Sequence, residues 1–150
     1  MLLFAAKERT SPSLGAKHRM NDVQTTRPLT GKRILVVEDE YYLADDLVQT
    51  LRSEGADVAG PAGTLAQAER LLAEGTIDCA ILDINLRGEM AFPIADRLSD
   101  AGIPFLIASG YSSSHLPERF SQVPHFQKPY DPNQLLALVP HAMQGAAQGA

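Results

Sequence analysis

The sequence predicts an α/β fold in which an open parallel sheet is covered by helices on both faces. Five short apolar segments alternate with segments whose apolar residues recur at helical spacing, the pattern of repeated β–α–β units. The apolar segments are continuous rather than alternating, as expected of strands buried on both faces. Connections between parallel strands cross over with a right hand, and five units are too few for a closed barrel of eight.

The first predicted strand covers residues 34–37, which are apolar and mostly β-branched and stop abruptly at residues 38–40, Glu-Asp-Glu. A helix follows over residues 43–51, where leucine and valine recur on one face. Gly55 stands where a helix commonly ends in a left-handed residue. The first β–α unit is therefore read from residue 34 to residue 55.

The second unit is shorter and carries stronger boundary signals. Residues 57–59 predict a strand that is broken by Gly60-Pro61. Thr64 is expected to cap the second helix through its hydroxyl group, and Gly75 is expected to end that helix.

The third and fourth strands follow the same scheme. Residues 79–82 are an apolar run that ends in Asp83, and residues 91–101 predict the third helix. Residues 104–108 predict the fourth strand, which ends at Ser109.

The last unit is less regular. Residues 111–120 contain three serines and a proline, so we expect a short, weakly packed fourth helix that begins near Ser114 or Pro117. A brief fifth strand is expected at Phe126, and Asp131 is expected to cap the last helix.

Composition and charge limit the function classes. The chain has 150 residues, 45% of them hydrophobic, and a single cysteine, which excludes a disulfide framework and a cysteine-rich zinc site. Residues 1–30 carry five basic and two acidic side chains, whereas residues 31–150 carry eight basic and sixteen acidic ones. The excess of acidic side chains in residues 31–150 disfavours nucleic-acid binding. No apolar segment is long enough to span a membrane.

The predicted domain organisation has three parts. Residues 1–30 lack periodicity and are expected to form a disordered extension. Residues 31–142 are expected to form one domain, and residues 143–150, rich in alanine, glycine and glutamine, a flexible tail. Cys79 lies inside an apolar run and is expected to be a buried, unreactive thiol.

Polar side chains stand at the carboxyl ends of the predicted strands, where open α/β sheets bind ligands. These residues are Glu38, Asp39, Asp83, Ser109 and Lys128. Carboxylates brought together raise one another's pKa unless a cation lies among them, and oxygen ligands suit Mg²⁺. A lysine and a serine beside them suit a phosphoryl group, and a carboxylate held there can act as a nucleophile toward phosphorus. The pattern predicts a cation-dependent phosphoryl site.

Four segments together resemble the receiver domain of two-component response regulators: residues 33–40, 80–86, 108–110 and 127–129. The resemblance covers residues 31–142. It implies a flavodoxin-like (βα)5 fold, a doubly wound parallel sheet of strand order 2-1-3-4-5.

The resemblance also implies a role for each matching residue. Asp83 would accept a phosphoryl group from a sensor histidine kinase. Glu38, Asp39, Asp83 and the backbone carbonyl of Asn85 would hold Mg²⁺ or Mn²⁺, with Asp39 binding directly and Glu38 through water. Ser109, Gly110 and Lys128 would contact the phosphoryl group, and Lys128-Pro129 would be a cis peptide.

Three departures from the receiver pattern bear on function. Glu38 replaces the usual first aspartate, and the usual proline after the acceptor is absent from residues 86–89. The switch aromatic expected three residues before the lysine is His125. Residues 105–111 resemble the Phe-Ala-Thr-Gly-x-Tyr signature of a receiver subgroup that is often stand-alone and paired with HWE or HisKA2-type kinases. In that setting Tyr111 would take over the role of the switch aromatic.

The leading interpretation is a stand-alone cytoplasmic receiver that signals by protein contact or onward phosphotransfer and is not a turnover enzyme. The expected partners are a sensor histidine kinase and an effector or phosphotransfer protein, with no nucleic acid, no membrane and the oligomeric state open. One alternative is a Mg²⁺-dependent phosphohydrolase with an aspartyl nucleophile, although such enzymes usually carry an acid two residues later, where Asn85 stands. Another alternative is an interaction domain that works without phosphorylation.

Overall fold

The structure is a computed structural model that describes residues 27–110 and 115–149. Its strands are β1 (Arg33–Val37), β2 (Asp57–Ala62), β3 (Cys79–Leu82), β4 (Asn85–Leu86), β5 (Glu89–Met90), β6 (Phe105–Ser109) and β7 (His125–Gln127). Its helices are α1 (Tyr41–Ser53), α2 (Leu65–Glu74), α3 (Phe92–Asp100), α4 (Pro132–Ala137) and α5 (Val139–Gly149). Five parallel strands form the main sheet in the order β2-β1-β3-β6-β7, and β4 and β5 form a separate antiparallel hairpin. Counted along the chain, the main strands follow the predicted order 2-1-3-4-5, which confirms the doubly wound α/β fold.

Both faces of the sheet are buried, which explains the continuous apolar strands. Leu35 and Val37 of β1 point into a core that also contains residues of α3, whereas Ile34 and Val36 point into a second core with residues of α1 and α4. Successive side chains of a strand point to opposite faces, so a strand between two helical layers needs apolar residues at every position.

The predicted cap residues are confirmed at two helices. The Thr64 side chain accepts a hydrogen bond from the backbone N–H of Gln67 at the start of α2, and Asp131 accepts one from the N–H of Asn133 at the start of α4. Such caps satisfy backbone donors that have no partner inside the helix and contribute about 1 kcal/mol each.

The second strand is longer than its sequence indicates, so the prediction that Gly60-Pro61 breaks it is wrong. β2 runs on to Ala62, with an irregularity opposite residues 35–37 of β1 that takes up one extra residue. Gly60 has a φ of 106°, and a Cβ there would lie 2.7 Å from the backbone oxygen of Val36. Glycine and the bulge let the strand continue past a proline at the edge of the sheet.

The ends of the domain also differ from the prediction. Disorder through residue 30 is wrong for its last part, because Leu29 is buried in the second core and its N–H donates to the carbonyl of Glu54. The rest of that extension, residues 1–26, lies outside the described residues. At the other end α5 continues to Gly149 and Met143 packs against the second core, so residues 143–149 of the predicted flexible tail are helical.

The segment after β6 is short of regular structure. Of the predicted fourth helix, the described part contains a 3-10 turn at Glu118–Phe120, and residues 111–114 lie outside the described residues. Phe120 is nevertheless buried and packs against Phe92 and Phe105, so the turn is anchored to the core. Within the described residues, none of the helices has the length and apolarity that crossing a membrane requires.

Candidate functional site

The site residues are placed by the backbone hydrogen bonds that continue the sheet one residue past each strand. The N–H of Glu38 donates to the carbonyl of Ala62, the N–H of Asp83 to Val37, and the N–H of Lys128 to Ser109, at 2.8, 2.9 and 2.8 Å. These bonds link each residue to the neighbouring strand of the parallel sheet. They bring three distant parts of the chain to one edge with little freedom.

Three carboxylates meet at this edge. Glu38, Asp39 and Asp83 each present an oxygen atom within 4.8 Å of the other two. Glu38 and Asp83 are buried, and the side chain of Asp39 is 12% exposed. Among the described residues this is the one group whose spacing would suit a metal ion. Close carboxylates shielded from water repel one another and attract a cation.

Lys128 extends from the end of β7 into the carboxylate group. Its Nζ donates hydrogen bonds to Asp83 Oδ2 at 2.8 Å and to Glu40 Oε1 at 3.3 Å, and it lies 2.9 Å from Glu38 Oε1. A single ammonium group therefore contacts three carboxylates. The negative charge of the site exceeds the positive charge that Lys128 supplies.

Burial and the neighbouring charges alter the proton affinities of the site. Burial, with the charge of Asp83 adding to it, raises the pKa of Glu38 to about 7, although hydrogen bonds from the Glu40 N–H and from Lys128 work in the other direction. For Lys128, burial disfavours the charged form, but its hydrogen bonds to Asp83 and Glu38 outweigh burial and raise its pKa above the ordinary value. Lys128 therefore keeps its charge at neutral pH, whereas Glu38 holds a proton more readily than an ordinary glutamate.

A cavity of about 330 Å³ opens beside the carboxylates. It is lined by Asp39, Glu40, Asp83, Asn85, Arg87, Gly88, Gly110 and Lys128. A Cβ atom built on Gly110 would meet no atom within 4 Å from the described residues beyond its chain neighbours. The cavity is open to solvent and is large enough for a phosphoryl group beside Asp83.

Ser109 lies at the end of β6 and is not among the described residues that line the cavity. It is fully buried, and its Oγ shares a hydrogen bond of 3.1 Å with Nε2 of His125 on the neighbouring strand β7. Burial lowers the pKa of His125, which keeps its imidazole neutral at pH 7. The residue that the sequence places at the switch position is thus bonded to the serine expected to contact a phosphoryl group.

The loop after β3 fastens a hairpin to Asp83. The N–H of Asn85 donates to Asp83 Oδ1 at 3.0 Å, and the side-chain oxygen of Asn85 accepts from the N–H of Gly88 at 2.6 Å. Arg87 and Gly88 form the two-residue turn of this hairpin, with φ angles of 56° and 92°. The left-handed conformation at Arg87 costs about 1–2 kcal/mol, because only glycine avoids contact between Cβ and the following carbonyl.

Most of the residues that the sequence predicts for the site lie around one cavity. Asp39, Asp83, Asn85, Gly110 and Lys128 line it. Glu38 lies close to Asp39, Asp83 and Lys128, and Ser109 is joined to the site through its backbone bond to Lys128. Lys128-Pro129 is a cis peptide, as the resemblance implied. Tyr111 lies outside the described residues. Cys79 is buried as predicted, and burial raises the pKa of its thiol to about 12, which disfavours the reactive thiolate.

Sequence reasoning missed three neighbours of the site. Glu40 contacts Lys128, Arg87 pairs with Asp39, and the buried hydroxyl of Tyr130 has no hydrogen-bond partner in the described part of the chain. Burial, together with the charge of Glu38, raises the pKa of Tyr130 to about 12. Glu40 and Tyr130 adjoin predicted site residues, which is a usable signal, whereas the signal near Arg87 was the absence of the usual proline from residues 86–89.

The donor set suits a hard divalent cation. Carboxylate oxygens are the ligands that Mg²⁺ and Mn²⁺ prefer, and an ion there would supply the positive charge that Lys128 alone does not. The cavity leaves room for the water molecules that Mg²⁺ usually retains. The residues present therefore fit such an ion.

Comparison with known protein families gives a match to the response regulator receiver domain over residues 34–140. MtrA of Mycobacterium tuberculosis, a DNA-binding response regulator, is 31% identical over 112 residues, which is 72% of this chain and 49% of that protein. The transcriptional regulatory protein PdtaR of the same species is 29% identical over 89 residues, 59% of this chain and 43% of PdtaR. The chain thus spans about half the length of the curated relatives it matches.

Solved structures show the same architecture. A CheY-like receiver domain protein of Methanospirillum hungatei aligns with a TM-score of 0.70 at 22% identity, over 79% of this chain and 98% of that one. SdrG of Sphingomonas melonis Fr1 aligns with a TM-score of 0.61 at 35% identity, over 80% and 98% of the two chains. PhyR of Brucella abortus aligns with a TM-score of 0.67 at 24% identity, over 91% of this chain and 58% of that one.

Proposed function

This chain belongs to the response regulator receiver family, and from that premise we propose that it takes a phosphoryl group onto Asp83 from the phosphohistidine of a sensor histidine kinase. The observation that carries the proposal is the position of Asp83. It lies at the carboxyl edge of the sheet, beside an open cavity, with Lys128 Nζ 2.8 Å from its Oδ2. A buried carboxylate fixed in this way is a positioned nucleophile.

The residues around Asp83 orient its carboxylate for transfer. The Asn85 N–H bonds to Oδ1 and the Lys128 ammonium bonds to Oδ2, so the plane of the carboxylate is fixed. In the transfer, a carboxylate oxygen forms a bond to phosphorus while the bond from phosphorus to the imidazole nitrogen of the donor breaks. The electron pair stays on that nitrogen. The Lys128 charge lies where negative charge gathers on the phosphoryl oxygens, which is the main catalytic requirement of such reactions.

We propose that Glu38, Asp39 and Asp83, with the backbone carbonyl of Asn85, hold Mg²⁺ or Mn²⁺. The ion, when bound, neutralises charge shared by the carboxylates and the transferred group. The support is the spacing of the three carboxylates and their shortage of positive charge. Asp39 has the freer access to the cavity, which favours direct binding by Asp39 and binding through water by buried Glu38.

Ser109 and Gly110 complete the proposed phosphoryl site. Gly110 lines the cavity without a side chain, which leaves space for the phosphoryl oxygens. A serine hydroxyl has one proton to donate. If that proton now bonds to Nε2 of His125, donation to a phosphoryl oxygen must break the Ser109–His125 hydrogen bond. Phosphorylation would then release His125, which is our proposed switch residue, with Tyr111 as the second candidate.

We propose that the output is a contact with a partner protein or onward phosphotransfer in the cytoplasm, rather than turnover of a substrate. SdrG, of which this chain covers 98%, supports an arrangement with a receiver domain alone. Another SdrG structure, from Pseudomonas melonis Fr1 and 37% identical, is in a BeF3-activated conformation, so a phosphoryl mimic suits a relative of this chain. The signature at residues 105–111 supports assignment to the Phe-Ala-Thr-Gly-x-Tyr subgroup and kinases of the HWE or HisKA2 type.

The test is to locate the phosphoryl group. The full chain is incubated with acetyl phosphate and Mg²⁺, and the acyl phosphate is reduced with borohydride, which converts a phosphorylated aspartate to homoserine. Mass spectrometry of the peptides should place the change at residue 83. Asp83→Asn should remove the label, while Asp45→Asn, which alters an exposed carboxylate on α1, should keep it.

The outcomes separate the proposal from its alternatives. Label retained in Asp83→Asn would contradict the assignment of the acceptor. Many turnovers on a small phosphate ester would favour a phosphohydrolase, and no label with any donor would favour an interaction domain that works without phosphorylation. Phosphotransfer profiling against the histidine kinases of the source organism would then identify the upstream partner.

A further inference from the structure

Arg87 is a second cation at the candidate site, placed where the receiver pattern usually has a proline. Its Nε lies 3.7 Å from Asp39 Oδ2. The Arg87 side chain is 79% exposed, whereas that of Asp39 is 12% exposed. The arginine therefore reaches in from the surface to a carboxylate that is mostly buried.

The carboxylate group divides between two cations. Lys128 contacts Glu38, Glu40 and Asp83, but within the described ranges its ion pairs do not include Asp39. Asp39 is paired with Arg87 instead. Asp39 is also the carboxylate proposed to bind the divalent ion directly. The guanidinium group of Arg87 therefore contacts the same carboxylate that the ion would bind.

The position of Arg87 is set by the hairpin rather than by the ion pair. Leu86 is buried in the core, and the Gly88 N–H bonds to Asn85, whose own N–H bonds to Asp83. Arg87 and Asp39 line both the cavity beside the carboxylates and a second cavity of about 380 Å³. Both cavities therefore offer space next to the Arg87 side chain, which is 79% exposed.

We propose that Arg87 and the divalent cation are alternative partners of Asp39, so that metal binding displaces the guanidinium group into solvent. The inference rests on the cation site described under the proposed function. Two positive groups cannot share one carboxylate closely without repulsion, so Arg87 lowers the metal affinity. By thermodynamic linkage, a partner that draws Arg87 away from Asp39 raises the metal affinity by the same factor by which the metal favours that partner.

The test is direct Mn²⁺ binding to the full chain, with free Mn²⁺ measured by electron paramagnetic resonance. Arg87→Asn is the main variant, since Asn-Gly is the favoured pair for this hairpin turn and folding is not in doubt. We expect Arg87→Asn to bind Mn²⁺ about three- to tenfold more tightly than the parent chain, and Arg87→Lys to stay within about threefold. In the parent chain, Mg²⁺ should also shift the Nε resonance of Arg87.

Two control variants make the result specific. Arg52→Gln removes the same charge from the wall of the second cavity, where the described residues show no ion pair between Arg52 and Asp39, and should change the affinity by less than about twofold. Asp39→Asn should weaken Mn²⁺ binding both in the parent chain and in combination with Arg87→Asn.

Each other outcome would overturn the proposed role of Arg87, alone or together with the cation site. Unchanged affinity in Arg87→Asn, with Asp39→Asn still weakening binding, would overturn the role of Arg87 and leave the proposed function intact. Equal gains in Arg52→Gln and Arg87→Asn would replace the specific pair by a general charge effect and overturn the proposal. Absence of binding in the parent chain and in Arg87→Asn would overturn both the inference and the cation site.

Discussion

The two ends of the central sheet use similar charged residues in opposite ways. At the amino-terminal end, Asp78 accepts a hydrogen bond of 2.8 Å from the N–H of Arg33, and the guanidinium of Arg33 lies 3.6 Å from the exposed Asp57. At the carboxyl-terminal end, Glu38 and Asp83 are buried and share Lys128. Carboxylates at the first end face solvent or a backbone donor, while those at the second also lie within 4.8 Å of one another.

The difference separates charges that stabilise the fold from charges that prepare a site. Exposed ion pairs contribute little in either direction, because water solvates the ions once they separate. Buried carboxylates in excess over their cation cost stability, and that cost is recovered when a cation or a transferred group binds. Substitutions should therefore have large effects at the carboxyl-terminal end and small ones at the other.

The largest effect is expected from Lys128→Met, which removes the ammonium group from two buried carboxylates. Uncompensated buried charge should lower the free energy of unfolding by about 3 kcal/mol at pH 8 without divalent ions. Lys32→Met, at an exposed lysine near the amino-terminal end, should change it by less than about 0.5 kcal/mol. Urea denaturation measures both variants, and a loss below about 1 kcal/mol for Lys128→Met would contradict the excess of negative charge.

A gain in stability is expected from Glu38→Gln. The pKa of Glu38 is raised to about 7 in the folded protein from 4.5, so protonated Glu38 favours the folded state. Its favourable contribution is complete below pH 4.5 and is lost as the pH rises through about 7. Glutamine removes the penalty of the ionised form, and the variant should be about 2 kcal/mol more stable than the parent at pH 8.

The advantage of Glu38→Gln should disappear near pH 5, and thermal denaturation between pH 5 and 8 without divalent ions tests this trend. Glu40→Gln is the matched control, because Glu40 also contacts Lys128 but its side chain is 62% exposed. A constant gain across that pH range would show that ionisation of Glu38 is not the cause.

A smaller stabilisation is expected from Mg²⁺ itself. An ion that binds only the folded state at ten times its dissociation constant adds about 1.4 kcal/mol to the free energy of unfolding. The melting temperature of the parent chain should rise with Mg²⁺ concentration, that of Asp39→Asn should not, and that of Asp57→Asn should rise as in the parent. An equal rise in Asp39→Asn would place the ion elsewhere.

The smallest effect is expected at the amino-terminal end. Asp57→Asn weakens an ion pair whose carboxylate is 76% exposed, and stability should stay within about 0.5 kcal/mol of the parent. Asp78→Ala also removes an acceptor of a backbone N–H and should cost about 1 kcal/mol. Urea denaturation measures the stability of both variants. A larger loss of stability in Asp57→Asn than in Asp78→Ala would contradict the contrast between the two ends of the sheet.

Sequence patterns were most informative where backbone geometry alone decides the outcome. The β3 strand has the predicted bounds, and Thr64 and Asp131 cap their helices as predicted, because these features depend on local periodicity and short-range hydrogen bonds. The passage of β2 through Gly60-Pro61 was not predictable from those signals. It depends on the neighbouring strand, which accepts a bulge at that point.

The candidate site divides in the same way. The sequence by itself determined which residues follow the strands, and because parallel strands end at one edge, it also determined that Glu38, Asp83 and Lys128 meet there. Only the tertiary structure decided the second set of contacts, in which Arg87 pairs with Asp39 and His125 bonds to Ser109. The ends of the strands follow the repeating backbone hydrogen bonds of the sheet, and the apolar pattern of the sequence indicates where they fall. The partner of a side chain in a turn or on an edge strand depends on which groups lie near it in the folded protein. No periodic pattern in the sequence indicates that partner.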